Sequence, residues 1–141
     1  MKKSVLFLCV HNAARSQIAE ALLLKYGGDQ FEVQSAGFEP TVVNPLVIEV
    51  LKDEGIDLSN KKTQSVYSLI QKQVFFGFVI TVCSRENEKD CPTFPGVPQR
   101  LHWDLKDPEG FMGTYEEKLE NVRKLKEQIK EYVLDFIKHA G

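Results

Sequence analysis

The stretch VLFLCVHNAARSQIAE, residues 5–20, runs apolar up to Cys9 and restarts as a helix after Arg15. Ser4–Val10 is β-branched and aromatic-rich, which suits a strand buried on both faces. From Ser16 to Tyr26 the residues Ile18, Ala19, Ala21, Leu22 and Leu23 fall at helical spacing, and Gly27-Gly28 marks the end. Only Val10-His11-Asn12-Ala13-Ala14 separate the thiol from the guanidinium. So short a loop, between groups of such different chemistry, has to be explained by the rest of the chain.

That chain continues the alternation of strand and helix. Phe31–Ala36 alternates as a second strand, closed by Gly37. Asn44 and Pro45 give an N-cap and a first-turn proline, and Leu46, Val47, Val50 and Leu51 make an apolar stripe up to Gly55. Val66–Gln71 is expected as a short helix. FFGFVITV, residues 75–82, is the clearest buried strand, and Arg100–Trp103 is a short fourth. The last helix starts at Thr114, with Glu117 completing a capping box. Its stripe is Leu119, Val122, Leu125, Ile129, Val133 and Phe136. The expectation is an α/β three-layer sandwich: a four-stranded parallel sheet in the order 2-1-3-4, helices on both faces, and a single domain over residues 1–141. In such sheets ligands bind beyond the carboxyl ends of the strands, where the strand order reverses. Strands one and three flank that reversal, which places Cys9 and Cys83 side by side.

The bulk composition narrows the function classes. With 141 residues, 43% hydrophobic and 27% charged, the chain has the make-up of one globular domain. A formal net charge of −2 gives no electrostatic case for nucleic acid or an anionic membrane surface. The lysines of the final helix are interleaved with glutamates and read as a solvated face. The apolar run after Met1-Lys2-Lys3 is shorter than the ~7–15 residues of a signal peptide. No segment approaches the ~20 apolar residues of a membrane helix. A cytoplasmic monomer is expected, and in that setting three cysteines point to chemistry or metal rather than a structural disulfide.

A loop entering a helix N-terminus aims several backbone N–H groups at one spot, where the helix dipole favours negative charge. Arg15 adds a planar, bidentate partner for an oxyanion, which a lysine does not offer. The same field favours a thiolate over a thiol at Cys9. Ser16 can donate its hydroxyl to that sulfur, Asn12 braces the loop, and the small Ala13 and Ala14 let the backbone approach the anion. A buried structural thiol is the alternative for Cys9, but it leaves Arg15 and Ser16 without purpose. Zinc held by the cysteines with His11 or His102 would need closer ligand pairs, because seven residues separate Cys83 from Cys91. No metal is assigned. His11 reads as a loop filler, His102 and Trp103 as core residues at a strand end.

The C-x5-R-S pattern between a first strand and a first helix resembles the low-molecular-weight protein tyrosine phosphatase fold. CVHNAARSQIAE resembles still more the arsenate reductase branch of that fold. The likeness extends through SAG at 35–37, NPLVIEVLKDEGIDLS at 44–59, VITVC at 79–83, CPTFPG at 91–96 and HWDLKDP at 102–108. It implies arsenate reduction by thiols, with no tightly bound cofactor. Cys9 would be the nucleophile, with residues Val10, His11, Asn12, Ala13, Ala14, Arg15 and Ser16 holding arsenate. Asp107 would be the general acid, ahead of Asp104. Cys83 and Cys91 would complete a thiol–disulfide relay. The implied partner is thioredoxin or an equivalent dithiol protein, with glutaredoxin plus a small thiol as the variant. The family's potassium site is matched by Asn12, Glu20 and Ser35, but its aspartate has no counterpart in NKKTQSVYS at 60–68, so no ion is assigned.

Two other outcomes share the same loop. Phosphate-ester hydrolysis through a phosphocysteine would make the chain a phosphatase; a non-enzymatic oxyanion-binding or redox-sensing module would use the loop without turnover. DPEG at 107–110 lacks the aromatic pair that follows Asp-Pro in tyrosine phosphatases. Ala14 also stands where those phosphatases usually carry a second cysteine. Both features favour the reductase.

Overall fold

Strand β1 (Lys3–Cys9) lies inside a four-stranded sheet, paired in parallel with β2 (Phe31–Gly37) on one side and β3 (Phe78–Thr81) on the other. Strand β4 (Gln99–His102) continues beyond β3, so the order is 2-1-3-4 as expected. The computed structural model describes residues 2–83 and 99–140. Cys91 and the stretch between Cys83 and β4 lie outside them.

The alternation of β1 sorts its side chains onto two faces. Val5, Phe7 and Cys9 join the larger core with α1 (Arg15–Gly27), α2 (Pro45–Leu51) and α4 (Tyr115–Ala140). Leu6 and Leu8 join the smaller one, covered by Val66 and Leu69 of α3 (Val66–Gln71). Both faces of β1 are therefore dry, which is why it reads as a continuous apolar run. The six stripe residues expected on α4 are all buried, and Phe136 meets the rings of Phe31 and Phe78 at 5.2 and 5.1 Å.

The helix starts follow their local signals. Asn44 accepts the Leu46 N–H, Ser65 accepts the Tyr67 N–H, and Thr114 and Glu117 exchange backbone-to-side-chain bonds as a capping box. Three expectations are corrected. The strand read over 75–82 is only Phe78–Thr81, because Gly77 turns its N–H onto Ser4 and Phe75 is exposed. Trp103 stands just past β4, its N–H still on the Thr81 carbonyl and its ring between Phe7 and Tyr132. The lysine-rich face of α4 is not wholly solvated: Lys126 is buried, its ammonium 3.1 Å from Glu54.

Glu54 sits in the 3-10 turn Lys52–Glu54 and gathers Lys25, Lys126, Lys130 and the Tyr26 hydroxyl. Burial alone would push its pKa up. The donors from Tyr26, Lys126 and Lys25 outweigh that and hold it at about 2. This hub ties the end of α1 to the middle of α4. Among the described residues no helix is long and apolar enough to cross a membrane.

Candidate active site

Cys9 ends β1 and Arg15 begins α1, so the five-residue loop fills the gap between the sheet and a helix N-terminus. The start of α1 differs from those of α2, α3 and α4, which Asn44, Ser65 and Thr114 cap. Its N-cap position is Ala14, which has no side chain able to cap. The N-cap position therefore offers no side chain to the first N–H groups of α1.

The loop's carbonyl groups point away from this spot. Val10 O accepts the Glu39 N–H at 2.8 Å, His11 O the Thr41 N–H at 3.1 Å, and Ala13 O the Asn44 N–H at 2.8 Å. In a trans peptide the following N–H faces the opposite way. The N–H groups of His11, Asn12 and Ala14 thus turn inward, and that of Asn12 reaches Cys9 Sγ at 3.1 Å.

Asn12 holds this shape with its whole side chain. It is fully buried with φ 54°, a left-handed conformation that asparagine tolerates. Its Oδ1 accepts the Gln64 N–H at 3.0 Å and Gln17 Nε2 at 3.1 Å, which fixes the amide orientation. Its Nδ2 donates to Ser16 Oγ at 2.8 Å. That leaves the Ser16 hydroxyl free to donate to Cys9 Sγ, 2.9 Å away. Two donors converge on a buried free sulfur, and both bonds are strongest when it is a thiolate.

Gly37 matters because of the space it leaves. A Cβ there would stand 2.6 Å from Val10 O and 2.8 Å from Asn12 N, so only glycine lets the loop rest on β2.

Arg15 is 4% exposed. Its Nη1 donates to Leu105 O at 3.1 Å, and its Nη2 lies 3.7 Å from Asp107 Oδ2. The other oxygen of Asp107 caps the 3-10 turn Pro108–Gly110 by accepting the Glu109 N–H. One carboxylate oxygen is therefore anchored while the other faces the arginine. Asp104 instead lines a cavity of about 600 Å³ with Lys106, Phe111 and Lys124, against α4. His11 is half-buried, its Nε2 4.0 Å from Glu39. His102, at the end of β4, bonds the Thr81 hydroxyl at 2.7 Å. No three metal-binding side chains come together among the described residues.

Cys83 follows β3 by two residues, is fully buried and is disulfide-bonded, while Cys9 is free. The Val82 N–H bonds the Leu8 carbonyl at 3.0 Å, so the chain leaving β3 runs beside the end of β1. Leu105 links the two sides: its N–H reaches Cys83 O at 3.4 Å and its carbonyl holds Arg15.

The model of the low molecular weight phosphotyrosine protein phosphatase family matches residues 4–140. The chain belongs to this family. Within the low molecular weight phosphatase family it is similar to an arsenate reductase of Halalkalibacterium halodurans, 37% identical over 96% of this chain and 95% of the relative. A solved arsenate reductase in its phosphate-binding state superposes with a TM-score of 0.77 and 28% identity, covering 96% and 97% of the two chains. The thioredoxin-dependent arsenate reductase of Corynebacterium glutamicum aligns at 32% identity with a TM-score of 0.61, over 94% of this chain and 62% of that one. The resemblance read from the motifs is borne out at the level of family and fold.

Sequence reasoning named the loop but missed its supports. Gln17, Gly37 and Leu105 fall inside the motifs CVHNAARSQIAE, SAG and HWDLKDP without a role being read for them, and Gln64 falls in none. Gln64 and Leu105 reach the loop and Arg15 through backbone atoms, which any residue but proline could supply.

Proposed function

We propose that this enzyme reduces arsenate to arsenite through a thiol relay starting at Cys9. The uncapped start of α1, closed around a sulfur that already takes two donors, carries the reading. Arsenate binds with its oxygens on the inward N–H groups and the Arg15 guanidinium. Cys9 attacks arsenic(V), an As–O bond breaks, and Asp107, poised beside Arg15, protonates the departing oxygen as water. Cys83 then attacks Cys9 Sγ. A Cys9–Cys83 bond forms, the S–As bond breaks, and its electron pair leaves with arsenic as arsenite. Cys91 attacks Cys83 in turn and releases Cys9.

The two electrons come from two thiols, and an external dithiol of the thioredoxin type restores them. Cys83 held in a disulfide while Cys9 is free is the arrangement such a relay leaves behind. A reducing compartment such as the cytoplasm suits this cycle.

Phosphate esters fit the same anion cradle, so the test runs both reactions side by side. Arsenate-dependent NADPH oxidation is measured with thioredoxin and its reductase, and p-nitrophenyl phosphate hydrolysis is measured separately. The wild type should turn over arsenate. Cys83→Ser should lose that and keep a weak phosphatase rate, which needs only Cys9, Arg15 and Asp107. A wild type that hydrolyses the ester and ignores arsenate would make the protein a phosphatase.

A further inference from the structure

Below the catalytic loop lies a carboxylate that the relay does not use. Glu20, on α1, is 6% exposed. Its Oε1 accepts the Ser35 hydroxyl of β2, and its Oε2 lies 3.0 Å from the Lys61 ammonium. A carboxylate this deep needs a positive partner, since desolvating a lone charge is costly. Lys61 comes from the strap between α2 and α3, and that strap also reaches the loop. Three residues on, the Gln64 N–H lands on Asn12 Oδ1, and the Gln64 carbonyl takes the Gly37 N–H. Thr63 bonds the Thr41 carbonyl, next to the segment that receives the loop's own carbonyl groups. Lys61 thus pins one end of a strap whose other end holds Asn12.

The oxygens here do not fit a metal ion while Lys61 is in place. Both Glu20 oxygens are occupied, one by a hydroxyl and one by the ammonium. Asn12 Oδ1 already takes two donors. Among the buried side-chain oxygens of the described residues only Gln17 Oε1 has no partner. One open side-chain oxygen is far short of the roughly six or more oxygens that a hard cation gathers, and the ammonium would repel it.

We propose that Lys61 is a positioning residue: its tethered ammonium supplies the single positive charge that Glu20 requires, in place of an alkali-metal ion. The lysine stem lines a groove of about 360 Å³ with Gln17, Glu20 and Leu58. Cutting the side chain back opens that groove and leaves Glu20 facing it, so a small monovalent cation could then take the vacated place.

The experiment compares wild type, Lys61→Met and Lys61→Arg in potassium chloride and in N-methylglucamine chloride at equal ionic strength. Two readouts are taken: the thermal midpoint, and KM and kcat for arsenate. The thermal readout does not depend on the reductase reading, so the two ideas fail separately. Wild type should show the same midpoint in both salts. Lys61→Met should be stabilised by ~3 °C or more in 0.1 M potassium, as expected when a ligand binds only the folded state. Its KM for arsenate should rise several-fold in N-methylglucamine and recover in potassium or methylammonium, with kcat changing less. Lys61→Arg should stay close to wild type. Potassium stabilisation of the wild type would overturn the proposal. So would a Lys61→Met variant that matches wild type in both salts, or one whose defect no cation repairs. If Lys61→Met does not fold, the wild-type and Lys61→Arg arms still decide: potassium dependence in either contradicts a built-in cation.

Discussion

At Gly37 a single missing methyl group sets the height of the loop above the sheet. Gly37→Ala brings Cβ against two backbone atoms, Val10 O and Asn12 N, and neither can rotate aside as a side chain would. The loop must lift, and a displacement of ~1 Å at a site of this kind costs on the order of 100-fold in rate. We expect arsenate turnover to fall by about that factor while the far-UV circular dichroism spectrum is unchanged. A variant with wild-type kinetics would show that the loop does not depend on this contact. The same scale shows what sequence can reveal. Cys9, Asn12, Arg15 and Ser16 were legible because they are contiguous and their side chains do the work. Lys61, Gln64 and Leu105 arrive from distant segments, two of them through main-chain atoms, and residue identity carries no trace of such contacts.

Helix and strand types were legible wherever local signals and burial agree. β1 is apolar throughout because it is covered on both faces, and α4 keeps a strict stripe because only one side meets the sheet. The third strand was overextended because Phe75 and Phe76 look like strand residues, yet Gly77 diverts the chain toward Ser4. Charge on α4 was misread for a related reason: interleaved Lys and Glu look solvated unless a third element supplies a buried acid. Glu54 is that acid, and its contacts predict a pH dependence. Its folded pKa of about 2 lies below the ordinary 4.5. The stability it contributes is therefore complete above pH 4.5 and disappears as pH falls toward 2. Glu54→Gln should unfold at lower urea than wild type at pH 7, with the gap closing between pH 4.5 and 2. A gap independent of pH would mean that packing, not charge, carries the effect.

For the whole molecule, the parallel order 2-1-3-4 brings the ends of β1 and β3 together, and the entire mechanism rests on that adjacency. Leu105 bridges the chain after β3 to Arg15, so the proposed anion cradle and Cys83 share one backbone link. The most direct test is one turnover without any external reductant. Fully reduced enzyme is mixed with excess arsenate, and arsenite and the resulting disulfide are both quantified, the latter by mass mapping after alkylation of the remaining thiol. The relay predicts one arsenite per enzyme, a Cys83–Cys91 disulfide and a free Cys9. No arsenite, or arsenite formed with Cys91 still free and Cys9 bonded to Cys83, would contradict it.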